Sequence, residues 1–156
     1  MNAGINNLPE KSIEWLQGLI EINLDSSKGF AEAADNLEKD DHGIEAMFRN
    51  LSRERAAQAQ ELQAMVAANQ EKPTKSGSVA AAAHRTWMDL RAALGGGSQA
   101  VLSEAERGED HIKAKYEDAL KDLVGCLCTA VLQRHASAVR ASHDKVRDLR
   151  DARVKA

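Results

Sequence analysis

Residues that favour strands are scarce in this chain. Eight Val, six Ile, three Thr and five aromatics make 22 of 156 positions, about 14%, which is too few for a sheet-based core. Only two prolines, Pro9 and Pro73, interrupt the backbone, so long helices meet few breaks. The two cysteines, Cys126 and Cys128, cannot make a disulfide framework. Placed on a helix they would face opposite sides, and they read as two unreactive thiols in a cytoplasmic protein. Neither sign of charge dominates, since 21 Lys and Arg stand against 24 Asp and Glu for a net charge of -3. That balance excludes the strong basic field of a nucleic-acid binder. No apolar run approaches the roughly 20 residues that span a bilayer, and no signal-peptide pattern opens the chain. No membrane partner is expected.

What the chain does have is alanine, 27 residues of it, spread through periodic apolar stripes. Ile13, Leu16, Ile20, Asn23, Ser27, Phe30, Ala34 and Leu37 recur at spacings of three and four, which is one face of a long helix. A second stripe runs through Met47 or Phe48, Leu51, Arg55, Gln58 or Ala59, Leu62 and Met65 or Val66. A third carries Ala105, Glu109, Ile112 and Tyr116. The last carries Leu127 or Cys128, Val131 or Leu132, His135, Val139, Ser142, Val146 and Leu149. Gly43, the Pro73 to Ser78 segment, Gly95-Gly96-Gly97 and Gly125 punctuate them, and Asp40 or Asp41 can cap the second helix. The reading is a single domain over 1–156 with long helices over about 10–40, 44–70, 99–121 and 125–153. A short helix over about 79–94 lies in the crossover between the second and third. Helices of about 22 to 28 residues, some 33 to 42 Å long, predict an all-α four-helix bundle.

In such a bundle function sits where polar groups interrupt the inward face. Glu109 lies among Ala105, Ile112 and Tyr116, with Glu106 on the same side. His135 and His143 fall among the valines of the last helix. Glu54 follows Leu51 by three, and Asp25 stands beside the first stripe. Carboxylates and imidazoles converging from four helices would suit iron or manganese. The bundle recipe needs a Glu-x-x-His motif from each of two helices, and this sequence contains none. Glu54, Glu109 and His143 are the candidate metal ligands, with Glu106, Asp25 and His135 as secondary ones. Glu54 within Arg53-Glu54-Arg55 also reads as part of a solvated or salt-bridged face, Glu109 as a boundary residue or one paired with an arginine, and His135 and His143 as hydrogen-bonded core or boundary histidines. Trp15, Trp87, Phe30, Phe48 and Tyr116 read as core anchors.

Two segments carry a resemblance. Gly77-Ser78-Val79 leading to His84-Arg85-Thr86-Trp87-Met88-Asp89-Leu90, and Glu104 to Asp110, resemble a bacterial family of ferritin-like four-helix bundles known as a domain of unknown function. Lys28-Gly29-Phe30 resembles the family's first helix, Phe48 to Leu62 its second, and Ala141 to Leu149 its last. The resemblance spans about residues 12–152 and implies a ferritin-like bundle without an established activity. The wider ferritin-like group includes di-iron oxidases and iron stores.

Two functions follow as expectations. The first is a non-enzymatic, stress-associated bundle with a degenerate metal site, acting through self-association or a protein partner. A dimer is expected because Trp15, Trp87 and Met88 do not all fit within so slim a core. The second is an iron- or manganese-binding or oxidising protein with a reduced ligand set.

Overall fold

Pro9 sets the start of the first helix, its extended conformation (φ -58, ψ 153) placing the ring where no backbone donor is needed. Its carbonyl accepts the N–H groups of Ser12 and Ile13 at 3.0 and 3.2 Å. In this computed structural model, which describes residues 7–37, 43–77 and 89–154, four long helices follow. They are α1 (Glu10–Asp35), α2 (Ile44–Ala68), α3 (Ser98–Asp122) and α4 (Thr129–Val154). Each has 25 or 26 residues, so each is about 38 Å long at 1.5 Å per residue. Gly43 precedes α2 in the left-handed region at φ +78, a conformation open to glycine at little cost. No side chain caps α2 from that position. Asp40, Asp41 and His42 lie outside the described residues, as do His84, Trp87 and Met88. Of the short helix expected over 79–94, residues 89–93 are described and helical.

Side-chain pairs fix the directions of the helices. Trp15 on α1 reaches Asp122 at the end of α3 (2.6 Å), and Asn23 reaches Tyr116 (2.7 Å), so α1 and α3 are antiparallel. Glu54 meets Ser142 and Glu61 meets Arg134, so α2 and α4 are antiparallel as well. With short turns joining α1 to α2 and α3 to α4, the order is up, down, down, up. The segment that leaves α2 at Asn69 therefore starts at the opposite end of the bundle from the start of α3 at Ser98. Gln17 holds its start: its amide donates to the Lys72 carbonyl and accepts from the Thr74 N–H and hydroxyl, all within 2.9 Å.

The core falls into two apolar halves. One gathers Leu16, Ile20, Leu62, Val66, Ile112, Tyr116 and Leu132. The other gathers Phe30, Phe48, Leu51, Leu90, Leu102 and Val146, with the Phe30 and Phe48 rings tilted at 49° and 5.3 Å apart. Between the halves each helix contributes buried polar side chains. Trp15 is half-buried and bonded to Asp122.

Two expectations need correction at the α3–α4 connection. The last helix begins at Thr129, not near 125, because Gly125 turns the chain out of the helical path at φ +81. For the same reason the cysteines do not sit on opposite sides of a helix as two unreactive thiols. Cys126 and Cys128 share the turn, their Cα atoms 5.2 Å apart, and are bonded to each other. The other helices match the expected spans closely, although α1 is helical only to Asp35 and not to 40.

Candidate functional site

The belt between the two apolar halves is built from one or two residues per helix. Each falls where the heptad-like spacing of its helix turns inward. On α1 these are Asn23 and Ser26, on α2 Arg55 and Gln58, on α3 Glu109, and on α4 His135 and Ser142; all seven are buried. Buried polar groups are stable only when paired, and the pairing divides the belt into two linked networks.

The first network centres on Arg55, which is fully buried. Its Nη2 donates to Glu109 Oε2 at 2.7 Å and its Nη1 to Gln58 Oε1 at 3.2 Å. Glu54 Oε1 stands 3.7 Å from Nη1, and Glu54 Oε2 accepts the Ser142 hydroxyl at 3.2 Å. Burial pushes the Glu109 carboxyl above the ordinary carboxylate range, with Arg55 pulling the other way. Among the described residues, Arg55 Nε and Glu109 Oε1 are buried without a protein partner, as are Asn23 Oδ1 and Ser26 Oγ. The arrangement is a closed ion pair, with the guanidinium as the cation at the bundle centre.

The second network runs across the bundle from α1 to α2 through α3 and α4. Asn23 donates from Nδ2 to the Leu19 carbonyl (2.8 Å) and to Tyr116 Oη (2.7 Å). Tyr116 Oη lies 3.0 Å from His135 Nδ1, and His135 Nε2 lies 3.3 Å from Glu61 Oε2. Burial raises the Tyr116 phenol and lowers the His135 imidazole, so both are held neutral. Arg134 pairs with Glu61 at the outer end and holds its carboxyl down at about 2.

The six candidate ligands are thus distributed, not gathered. Glu54 and Glu109 meet only through Arg55. His135 belongs to the tyrosine network. His143 faces Asp110 at 2.7 Å, Glu106 at 3.5 Å and, through Nδ1, Asp144 at 3.1 Å, while Glu106 also receives Arg150. Asp25 packs against Gly77, so closely that a Cβ there would lie 2.0 Å from its carboxylate oxygen. Among the described residues, no three His, Cys, Asp or Glu side chains are grouped to hold a metal ion. The side chain that sequence reasoning left unused is Arg55. Its place on the α2 stripe, four residues after Leu51 and three before Gln58, was the signal for it. Of the solvated or salt-bridged alternatives for Arg53-Glu54-Arg55, Arg55 takes the salt-bridged one, because a helix turns successive residues by about 100° and this one faces the core.

Four long helices running up, down, down and up, with a polar belt at mid-height, define a ferritin-like bundle. A solved structure of a point mutant of Dps1 from Mycobacterium smegmatis is similar, with a TM-score of 0.71 and 14% identity over 90% of this chain and 98% of that one. At that identity the likeness concerns the fold alone. The chain belongs to the family described as a domain of unknown function (DUF2383), whose model matches residues 11–122. That match takes in α1 to α3 and leaves α4, with Ala141 to Leu149, beyond its end. No curated protein matches. No described helix is long and apolar enough to cross a membrane.

Proposed function

We propose that this chain is a non-enzymatic ferritin-like bundle, stress-associated and acting by binding a second copy or a protein partner, with an ion pair at its centre. The observation that carries the reading is the 2.7 Å contact between the fully buried Arg55 and Glu109. A di-metal centre fits these residues poorly. The guanidinium would repel a cation at 4 Å by about 4 kcal/mol per unit charge at an effective dielectric near 20. The two glutamate–histidine motifs of the di-iron bundles are missing as well.

One feature favours the other reading, in which Glu54, Glu109 and His143 bind iron or manganese. Glu109 Oε1 is buried and has no protein partner among the described residues. Anaerobic loading with ferrous iron or manganese, followed by desalting and elemental analysis, separates the two. The ion-pair reading expects no retained metal. Retention of about one or two equivalents per chain, lost in Glu109→Ala, would establish the metal reading instead. Light scattering tests association independently: a mass above that of the 16.9 kDa chain supports a self-associating bundle. A mass equal to it removes the stable dimer.

A further inference from the structure

The α3–α4 connection carries chemistry that the belt does not use. Cys128 is the last residue before α4, and its carbonyl accepts the Leu132 N–H at 3.2 Å. The disulfide from Cys126 to Cys128 closes over a single intervening residue. A loop so short removes little freedom from the unfolded chain, which makes the bridge a weak staple. The two sulfurs also differ. Cys128 is fully buried, whereas Cys126 is partly exposed. Cys126 Sγ accepts the Cys128 N–H at 3.2 Å and lies 3.5 Å from the Ser12 hydroxyl, two polar hydrogens that stabilise negative charge on that sulfur. Beside it Val124 and Leu127 are 84% and 62% exposed, the large apolar side chains that stand most open to solvent among the described residues. Cys126 itself packs its inner side against the first apolar half and keeps the rest of its surface open to solvent.

We propose that Cys126 and Cys128 form a thiol–disulfide exchange site whose substrate class is a dithiol. A thiolate of the dithiol attacks the accessible Cys126 Sγ and forms a mixed disulfide. The Cys126–Cys128 bond breaks, and its electron pair leaves on Cys128 Sγ at the N-terminus of α4. There the positive end of the α4 dipole opposes the cost of placing charge on a sulfur buried in the apolar cluster. The second thiol of the dithiol then loses its proton and attacks the substrate sulfur of the mixed disulfide. Cys126 is expelled as a thiolate held by Ser12 and the Cys128 N–H. The dithiol ends as its disulfide, and its two electrons and two protons reside on the cysteine pair. A bridge that reaches solvent at one sulfur, here Cys126, can exchange through that sulfur.

The experiment uses the full chain without denaturant, equilibrated in mixtures of reduced and oxidised dithiothreitol. Free thiols are then capped with iodoacetamide and counted by mass. Reversible gain and loss of both thiols together, with an unchanged far-ultraviolet dichroism spectrum, is expected. Reduction only after the helices unfold would overturn the proposal. Cys128→Ser and Cys126→Ser, each with one thiol, are compared for reaction with a nitrobenzoate disulfide. Cys126 should react on the order of tenfold faster or more; equal rates, or a faster Cys128, would contradict its role as the attacked sulfur. If either variant fails to fold, the wild-type titration decides alone.

Discussion

A buried arginine requires a counterion, and Arg55 has Glu109 at 2.7 Å with Gln58 as a further acceptor. His135 solves the opposite problem, since burial keeps its imidazole neutral and lowers its pKa. The unfolded chain, with a histidine near 6.5, binds that proton more readily. The stability it contributes is therefore complete above about pH 6.5 and is lost as pH falls through that value toward the folded pKa. Urea unfolding midpoints should decline from pH 7 to pH 5 and decline less steeply in His135→Gln. His111, also lowered by burial, leaves part of the slope in place. An acid dependence unchanged by the substitution would remove His135 from the account. Glu61 acts in a separate window: its folded value of about 2 means its share persists until pH falls below the ordinary carboxylate range near 4.3.

Among the elements, the crossover depends most on a few contacts. Gln17 makes three hydrogen bonds to the Lys72 to Thr74 segment, and Gln63 donates to the Thr74 carbonyl at 2.8 Å. These groups are near the surface, so water replaces part of what a substitution removes. Gln17→Ala should cost about 1 kcal/mol and speed proteolytic cleavage between 71 and 77. Cleavage at the wild-type rate would show that the segment is held by other contacts. The helices themselves were legible because their apolar spacing spans several turns each. The α3–α4 connection was legible only in part: Gly125 marked a break, but its positive φ carries the turn on to Cys128, where helical periodicity had resumed the helix too early. In the belt, spacing did place Asn23, Arg55, Gln58, Glu109 and His135 inward. Partnership was hidden, because which inward residues meet depends on the vertical register of four helices, and a single sequence does not contain it.

Over the whole molecule, the alanine-rich stripes bring four helices together around two apolar halves and a polar belt. The fold is that of ferritin-like proteins, and the centre holds an ion pair formed by this chain's own residues. Such a pair is costly to break and nearly neutral to replace as a unit. A double-mutant cycle by denaturant unfolding tests this most directly, using Arg55→Met, Glu109→Leu and both together. Glu109→Leu leaves the guanidinium buried and unpaired, and should cost about 3–5 kcal/mol. Arg55→Met should cost less, because Glu109, already raised by burial, can take up a proton. The double variant should return to within about 1 kcal/mol of the wild type or exceed it, a strong non-additive coupling. Additive losses in the double variant, or singles that leave stability unchanged, would contradict an ion-paired centre.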